Sequence, residues 1–426
     1  MLFALFYGVF VESSTKYFLL LSIYLIPFTI CYFLITLLAK NKLSLIPING
    51  SFSKYLNPPI KNIFINVLSA LLIVTIIIHY IDIGFIPAIK AYFSSNYYEV
   101  VDIRKQGNYL SSKSVRYFSS FMIKSIIPFL LFYLLISKRY ILFIVIYTLG
   151  ILYAFSLMQK SFIFTILFPC ITYVIFKRHY LKFFIFIATL FLYVFCLLSL
   201  TNPQLKPTKE SIAKSNSTIK LKKFNDNEKI NDQKKRDSSI LKFENEFKEN
   251  ELKYAKKDNN HEKTPNLLLT FTNSLIKRVF ITPGKIVSKW FENIPSNQPF
   301  LGGCGYRFIA PIIGCEYQNY NLELYKNIFP KYAARGIKGN VNTTSFMYEY
   351  SNFGVAGLIF SALVMGLIIA FIDYLFAFSL LCKFSINSFY VLMLSSSALT
   401  TLMFSGGWAL MIILFYIYRS DFLKLQ

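Results

Sequence analysis

The chain has 426 residues, of which 55% are hydrophobic and 15% are charged. Soluble domains contain about 45–50% apolar and about 25% charged residues, so the composition excludes an ordinary soluble enzyme and favours a protein embedded in lipid. The net charge is +24, a balance that is also typical of proteins that bind nucleic acid, anionic lipid or a phosphate-bearing substrate.

The positions of the charges along the chain indicate which of these partners is expected. Residues 201–264 hold 16 Lys or Arg and 11 Asp or Glu, and the rest of the chain is mostly uncharged. Outside that segment the basic residues fall mainly in short loops between apolar runs, as in membrane proteins. Nucleic acid is therefore excluded as a partner, and the lipid bilayer is expected.

Apolar runs long enough to cross a bilayer, which takes ~20 residues per helix, occur along the whole chain outside that segment. They predict an all-α polytopic membrane protein with about nine transmembrane helices, or about ten if the opening stretch 1–16 is counted. This opening stretch has no basic region and no small-residue cleavage site, so it is interpreted as an interfacial segment or a shortened helix. The spans are expected at residues 17–38, 60–81, 121–136, 140–157, 162–176, 183–200, 354–378, 388–404 and 408–418.

The basic residues of the short loops alternate along the chain in a way that predicts the orientation. They collect in every second loop, which the positive-inside rule assigns to the cytoplasm. Residues 83–118 and 201–353 are then outside the cytoplasm. The predicted regions are an N-terminal membrane bundle of about six spans (1–200), a polar insert (201–264), a lid outside the cytoplasm (265–353) and a C-terminal bundle of about three spans (354–426).

The two parts of the large external loop differ in composition. Residues 204–263 have too few apolar side chains to offset the entropy of ordering, so they are predicted to form a disordered or partly helical spacer. Aromatic residues and glycines return in 265–352, which carry a net charge of +5. This part is predicted to fold as a lid with amphipathic helices, interrupted at Pro283 and Gly284. Its basic balance favours a phosphorylated substrate.

Known catalytic motifs are missing from the sequence. It has no HExxH, no P-loop and no GxSxG, and no acidic cluster that suggests a metal, so no cofactor is expected. Cationic groups remain, because they bind phosphate oxygens and stabilise a diphosphate leaving group. The external candidates, each of which also fits a surface or headgroup role, are Arg104, Lys160, Arg278, Arg307 and Arg335.

Four further positions complete the set of candidates. Glu316 and Glu349 are external carboxylates that fit a general base, although an isolated Glu is more often a surface residue. Cys304 and Cys315 share the lid, where an oxidising compartment permits a disulfide between them. Asp373, near the cytoplasmic end of a span, is expected to pair with Lys383 rather than to relay protons.

Three segments resemble the O-antigen polymerase family, also called the oligosaccharide repeat unit polymerases. They are SSNYYEVVDIRKQGNYL before a span, YAFSLMQKSFIFTILFPCITYVIF around a tight turn, and TTSFMYEYSNFGVAGLIFSALVMGL at the return to the membrane. Arg104 and Lys160 match basic positions of the family. The family's aromatic-Asn/Glu-Phe-Gly-x-x-Gly pattern is matched at Tyr348, Asn352, Gly354 and Gly357.

The resemblance implies a metal-independent glycosyltransferase of the bacterial inner membrane, with its active site facing the periplasm. It implies that undecaprenyl-diphosphate-linked oligosaccharide units are polymerised into O-antigen or another surface polysaccharide, with a chain-length regulator as a further partner. In this interpretation Glu349 and Arg335 are catalytic. The residues expected to bind diphosphate or glycan are Arg104, Lys160, Arg278, Arg307, Tyr348 and Asn352.

Three other functions stay open. An O-antigen ligase shares the general plan but is expected to depend on a His in its external loop, where this chain has only His261. A flippase for lipid-linked oligosaccharides usually has more spans and shorter loops. A membrane acyltransferase is expected to hold a His at depth beside Asn or Asp, which only His79 and Asp82 approach.

Overall fold

The computed structural model describes residues 2–13, 15–42, 58–94, 99–100, 103–104, 106–107, 110–201, 281–329 and 339–424. The chain divides into two units, Met1–Lys206 with Arg278–Gln426, and Pro207–Lys277. The second unit lies outside the described residues. So do Arg278 and Arg335, and nearly all of the predicted insert.

All regular secondary structure in these described ranges is helical. The first eight helices are α1 (Leu2–Ser13), α2 (Phe18–Lys42), α3 (Pro58–Ile83), α4 (Pro87–Phe93), α5 (Lys113–Ile136), α6 (Tyr140–Ser156), α7 (Lys160–Phe176) and α8 (Tyr180–Thr201). The others are α9 (Thr282–Asn293), α10 (Ala310–Ile313), α11 (Tyr320–Ile328), α12 (Ser345–Leu375), α13 (Leu380–Met393), α14 (Leu399–Met403), α15 (Trp408–Ile417) and α16 (Arg419–Lys424).

Five of these helices, α2, α3, α5, α8 and α12, are long and apolar enough to cross a membrane. Shorter apolar helices accompany them as α6, α7, α13 and α15. By the length and composition of its helices, the chain is a multi-pass membrane protein. Each predicted span overlaps one of these helices.

Several predicted spans differ from the structure in extent. The span expected at 354–378 begins earlier, because α12 already starts at Ser345. The span expected at 121–136 begins earlier, because α5 already starts at Lys113. The single span expected at 388–404 is wrong: α13 ends at Met393, and the chain then turns around the short α14. The hydroxyl of Ser395 bonds back to a helix carbonyl, and Gly407 has a positive φ of 82°, so both ends of this connection favour turns over continued helix.

The centre of the bundle is α5. Every residue of its second half, Ile127–Ile136, is buried. Its neighbours are α3, α6, α7 and α15, which share one apolar core with it. The outer helices α2 and α8 bury few of their apolar side chains and leave the rest exposed or partly exposed, as lipid-facing helices do.

The opening stretch is a helix that packs against the lid. In α9, a Cβ added at Gly284 would overlap the backbone of Gly8 and Val9, so the two helices touch through their main chains. Ser13 and Ser288 are 3.2 Å apart at the end of this contact. The interruption predicted at Pro283 and Gly284 stays a prediction, because the residues immediately before Ile281 lie outside those described. The helix α9 begins at Thr282 with Pro283 in its first turn, where the missing N–H is tolerated.

Ion pairs mark one end of the bundle, which we call the basic end. Lys61 pairs with Asp421 at 2.9 Å, joining α3 to α16. Lys383 pairs with Asp373 at 2.6 Å, which confirms the predicted pairing. The opposite end holds the described lid residues and is called the lid end; its assignment to the periplasm stays a prediction.

Candidate functional site

A kink at Gly354 divides α12 into a short helix at the lid end and a long apolar helix. Gly354 has φ 62° and ψ −137°, a conformation that L side chains avoid. The ring of Phe300 lies 3.0 Å from the place where its Cβ would be. A Cβ at Gly357 would overlap the carbonyl oxygen of Glu349, so the backbone folds closely onto itself here. Both glycines of the pattern are therefore required by sterics.

The loop at 301–306 is bonded to the residues just before this kink. The N–H groups of Leu301 and Gly302 donate to the carbonyls of Ser351 and Asn352, both at 2.9 Å. The buried side chain of Asn352 accepts from the N–H of Gly305 at 3.0 Å. Asn352 is thus engaged within the protein, where it positions the loop.

This loop brings a phenol to Glu349. The hydroxyl of Tyr306 donates to the half-buried carboxylate of Glu349, and the Tyr306 ring stacks on Phe353. The neighbouring Tyr348 faces other groups: its hydroxyl accepts from Asn321 at 3.1 Å. The result is a carboxylate with one defined hydrogen-bond donor, one helical turn before the kink.

A disulfide closes the segment that follows Tyr306. Cys304 and Cys315 are bonded, with 5.9 Å between their Cα atoms. Arg307, directly after Tyr306, is exposed and lies over the ring of Tyr317 at 5.1 Å. The lid end therefore places a guanidinium one residue from the phenol that contacts Glu349.

A buried polar cluster joins α3, α5 and α6. The hydroxyl of Tyr153 lies 2.6 Å from His79 Nδ1 and 2.6 Å from Ser119 Oγ. Asp82 has other partners, since it accepts from Ser111 Oγ at 2.8 Å and from the N–H of Ser112 at 2.7 Å. His79 is thus bonded to Tyr153, while Asp82, three residues further along α3, is bonded to Ser111 and Ser112.

Two cations on α5 escaped the sequence analysis. Arg116 donates to the carbonyl of Ser111 at 3.1 Å, while its Nε is buried without a partner. Lys124 lies in a wider π turn, where the N–H of Ile127 donates to the carbonyl of Met122. The ammonium of Lys124 donates no hydrogen bond to any group in the described part of the chain. The available signal was a lone Lys inside an apolar helix, which by default marks a functional position.

The connection between α13 and α15 contacts both α5, which carries Arg116 and Lys124, and the start of α12, which carries Glu349. Ser120 and Ser125 of α5 donate to the carbonyls of Ser405 and Gly407 at 3.3 Å and 2.7 Å. At its other end, the carbonyl of Leu394 accepts from the first N–H of α12 at 2.9 Å. One connection thus contacts both the cation-bearing helix and the helix of Glu349.

The other predicted site residues lie elsewhere. Arg104 is exposed in the segment between α4 and α5, and Lys160 is the half-buried first residue of α7. Arg278 and Arg335 fall outside the described residues. Of the predicted positions, Glu349, Tyr348 and Asn352 are close together on α12, where Tyr348 and Asn352 bond to other groups of the protein. Arg307 directly follows Tyr306, which bonds to Glu349.

The chemistry of this set fits an anionic substrate with a hydroxyl to activate. A carboxylate accepts a proton, and a guanidinium binds phosphate oxygens. Within the described ranges, no group of three or more His, Cys, Asp or Glu is placed to hold a metal ion. No family model, curated protein or solved structure matches the chain.

Proposed function

We propose that the chain is a glycosyltransferase that polymerises undecaprenyl-diphosphate-linked oligosaccharide repeat units at the periplasmic face of a bacterial inner membrane. The product is O-antigen or another surface polysaccharide. The position of Glu349 carries the proposal: its carboxylate is held by Tyr306 just before the kink at Gly354, where the long apolar part of α12 begins. A group at this level meets a substrate whose lipid lies in the bilayer and whose sugars lie outside it.

In the proposed reaction, Glu349 accepts the proton of a sugar hydroxyl on the incoming lipid-linked unit. The freed oxygen attacks the anomeric carbon of the growing glycan. The bond between that carbon and the diphosphate oxygen breaks, and the lipid diphosphate leaves with the electron pair. Each cycle transfers the whole glycan to the next unit.

The negative charge that develops on the leaving diphosphate needs cations around it, since these stabilise it more strongly than water does. Arg307 stands next to Tyr306 in the described site. The residues proposed to share this task are Arg104, Lys160, Arg278 and Arg335, and Arg335 is proposed to be catalytic.

Two further cations, Arg116 and Lys124, support binding of a diphosphate. Both side chains are half-buried, and a cation that is partly withdrawn from water without an anionic partner carries a desolvation penalty that a bound phosphate would offset. Both lie on α5, which contacts the connection that also meets the start of α12. We include them among the groups that bind the diphosphate.

Deleting the gene in its host and resolving the surface glycan by gel tests the proposal. A single-repeat band in place of a ladder, restored by a plasmid copy, is the expected result. A persistent full ladder would refute the polymerase. Complete loss of capped core would instead identify a ligase, and lipid-linked units retained on the cytoplasmic side would identify a flippase.

A further inference from the structure

The loop closed by Cys304 and Cys315 exposes large apolar side chains. Phe308 and Ile312 are 89% and 83% exposed, and Ile309 and Ile313 are exposed as well. Only Ala310 of the short helix α10 is buried. Exposure of such a patch to water is unfavourable, so the patch marks a surface that contacts either another protein or a membrane.

The position of the loop indicates that the patch contacts the membrane. A Cβ at Gly303 would lie 2.7 Å from Ile313 and 3.8 Å from Phe353, so the loop's apolar side chains adjoin Phe353 at the start of the span. Phe353 is exposed, and so are Val355 and Phe360 further along α12. The apolar surface of the loop is thus continuous with the lipid-facing surface of a membrane helix.

The charge and the covalent closure fit the same surface. Arg307 borders the apolar patch and lies over the ring of Tyr317. Tyr is enriched at the membrane–water interface, and Arg keeps its charged group in water while its stem lies along apolar surface. The disulfide limits the conformations that the loop can adopt before insertion, so the loop loses less conformational entropy when it enters the lipid.

We propose that residues 304–315 form a membrane-insertion loop, whose Phe308 and Ile312 lie among the acyl chains of the lid-end leaflet while Arg307 contacts lipid phosphates. The occupant of this apolar surface is the bilayer. The inference concerns how the lid is held at the membrane. It shares Arg307 with the reaction proposed above, whereas Phe308 and Ile312, which report on it below, take no part in that reaction.

Lipid-borne quenching of an introduced Trp tests the loop. The full chain is placed in phosphatidylcholine–phosphatidylglycerol nanodiscs with a doxyl group near the top of the acyl chains. The variants are Phe308→Trp, Ile312→Trp as a second reporter in case the first fails to fold, and Glu323→Trp on the exposed face of α11 as the control. The unsubstituted protein gives the background of its two buried tryptophans, Trp290 and Trp408.

Insertion to a depth of ~5–10 Å predicts that the doxyl lipid removes about half of the added emission of Phe308→Trp, or of Ile312→Trp. Aqueous acrylamide should quench Glu323→Trp instead. Quenching of the loop reporters by acrylamide and not by lipid would overturn the proposal. Protection from both quenchers would also overturn it, since a second protein surface would then cover the loop. None of these outcomes depends on glycan synthesis.

Discussion

Glu349 and Tyr306 are 43 positions apart in the sequence and meet through a single hydrogen bond. Their contact depends on the 301–306 loop, whose backbone is bonded to Ser351 and Asn352. The phenol fixes the carboxylate in one orientation and leaves its second oxygen available. At the residue scale, this oxygen is the proposed proton acceptor.

Glu349→Gln should lower polymer formation at least ~100-fold, because an amide cannot accept the proton whereas it still accepts the bond from Tyr306. The glycan ladder on a gel, normalised to protein level by immunoblot, measures the loss. Glu323→Gln, an exposed change on α11, is the matched control and should leave the ladder normal. A normal ladder from Glu349→Gln would remove Glu349 from the mechanism.

Lys124→Met should shorten or abolish the ladder without lowering the melting temperature of the purified protein. Removing a cation that has no protein partner removes its desolvation penalty, so stability is expected to stay equal or to rise. Lys113→Met, at the exposed start of α5, is the control. A fall in melting temperature together with a normal ladder would show that Lys124 has a structural role only.

At the element scale, the contact of α1 with α9 depends on Gly284. Gly284→Ala adds a methyl group that overlaps the backbone of Gly8 and Val9, which no side-chain rotation can relieve. The helices must separate, and overpacking of this kind costs about 1–3 kcal/mol. Thermal unfolding in detergent should show a lower midpoint, and α1 should become more sensitive to protease.

Lys285→Ala is the neighbouring control for that change. Its half-exposed ammonium lies 3.5 Å from Glu12, and such surface pairs contribute about 1 kcal/mol or less. Equal effects from the two substitutions would mean that the backbone contact at Gly284 is not what holds α1 to the lid.

The helices themselves could be predicted well, because the signal for a span is local. An apolar run of sufficient length has to be helical in lipid, where unpaired backbone groups are costly. An error arose where the local signal was ambiguous. The apolar residues after Ser395 continue a hydropathic window although α13 has ended at Met393.

The candidate site was predictable only in part, because its contacts join residues that are far apart in the sequence. Glu349 could be proposed as a carboxylate in an external segment, but its contact with Tyr306 joins distant parts of the chain. No pattern in the sequence encodes that pairing. Lys124 is the single charge in the apolar run 121–136, and a lone basic residue there does not by itself show which groups it meets.

At the scale of the whole molecule, the composition of the insert predicts that it is dispensable. Deleting residues 204–263 should leave the ladder unchanged in length distribution, because the deleted residues contain too few apolar side chains for a core of their own. The same gel and immunoblot measure the result. Loss of the ladder at normal protein level would show that the insert takes part in synthesis.

The contact between α1 and α9 also bears on how the protein is assembled during translation. Ser13 and Ser288, which meet at its end, are 275 positions apart. The ribosome therefore finishes α1 and six further membrane helices before the surface that covers α1 exists. Until α9 emerges, α1 has an unpaired apolar face at the membrane surface, so a chain stalled before residue 281 should be a preferred substrate for membrane chaperones and quality-control proteases.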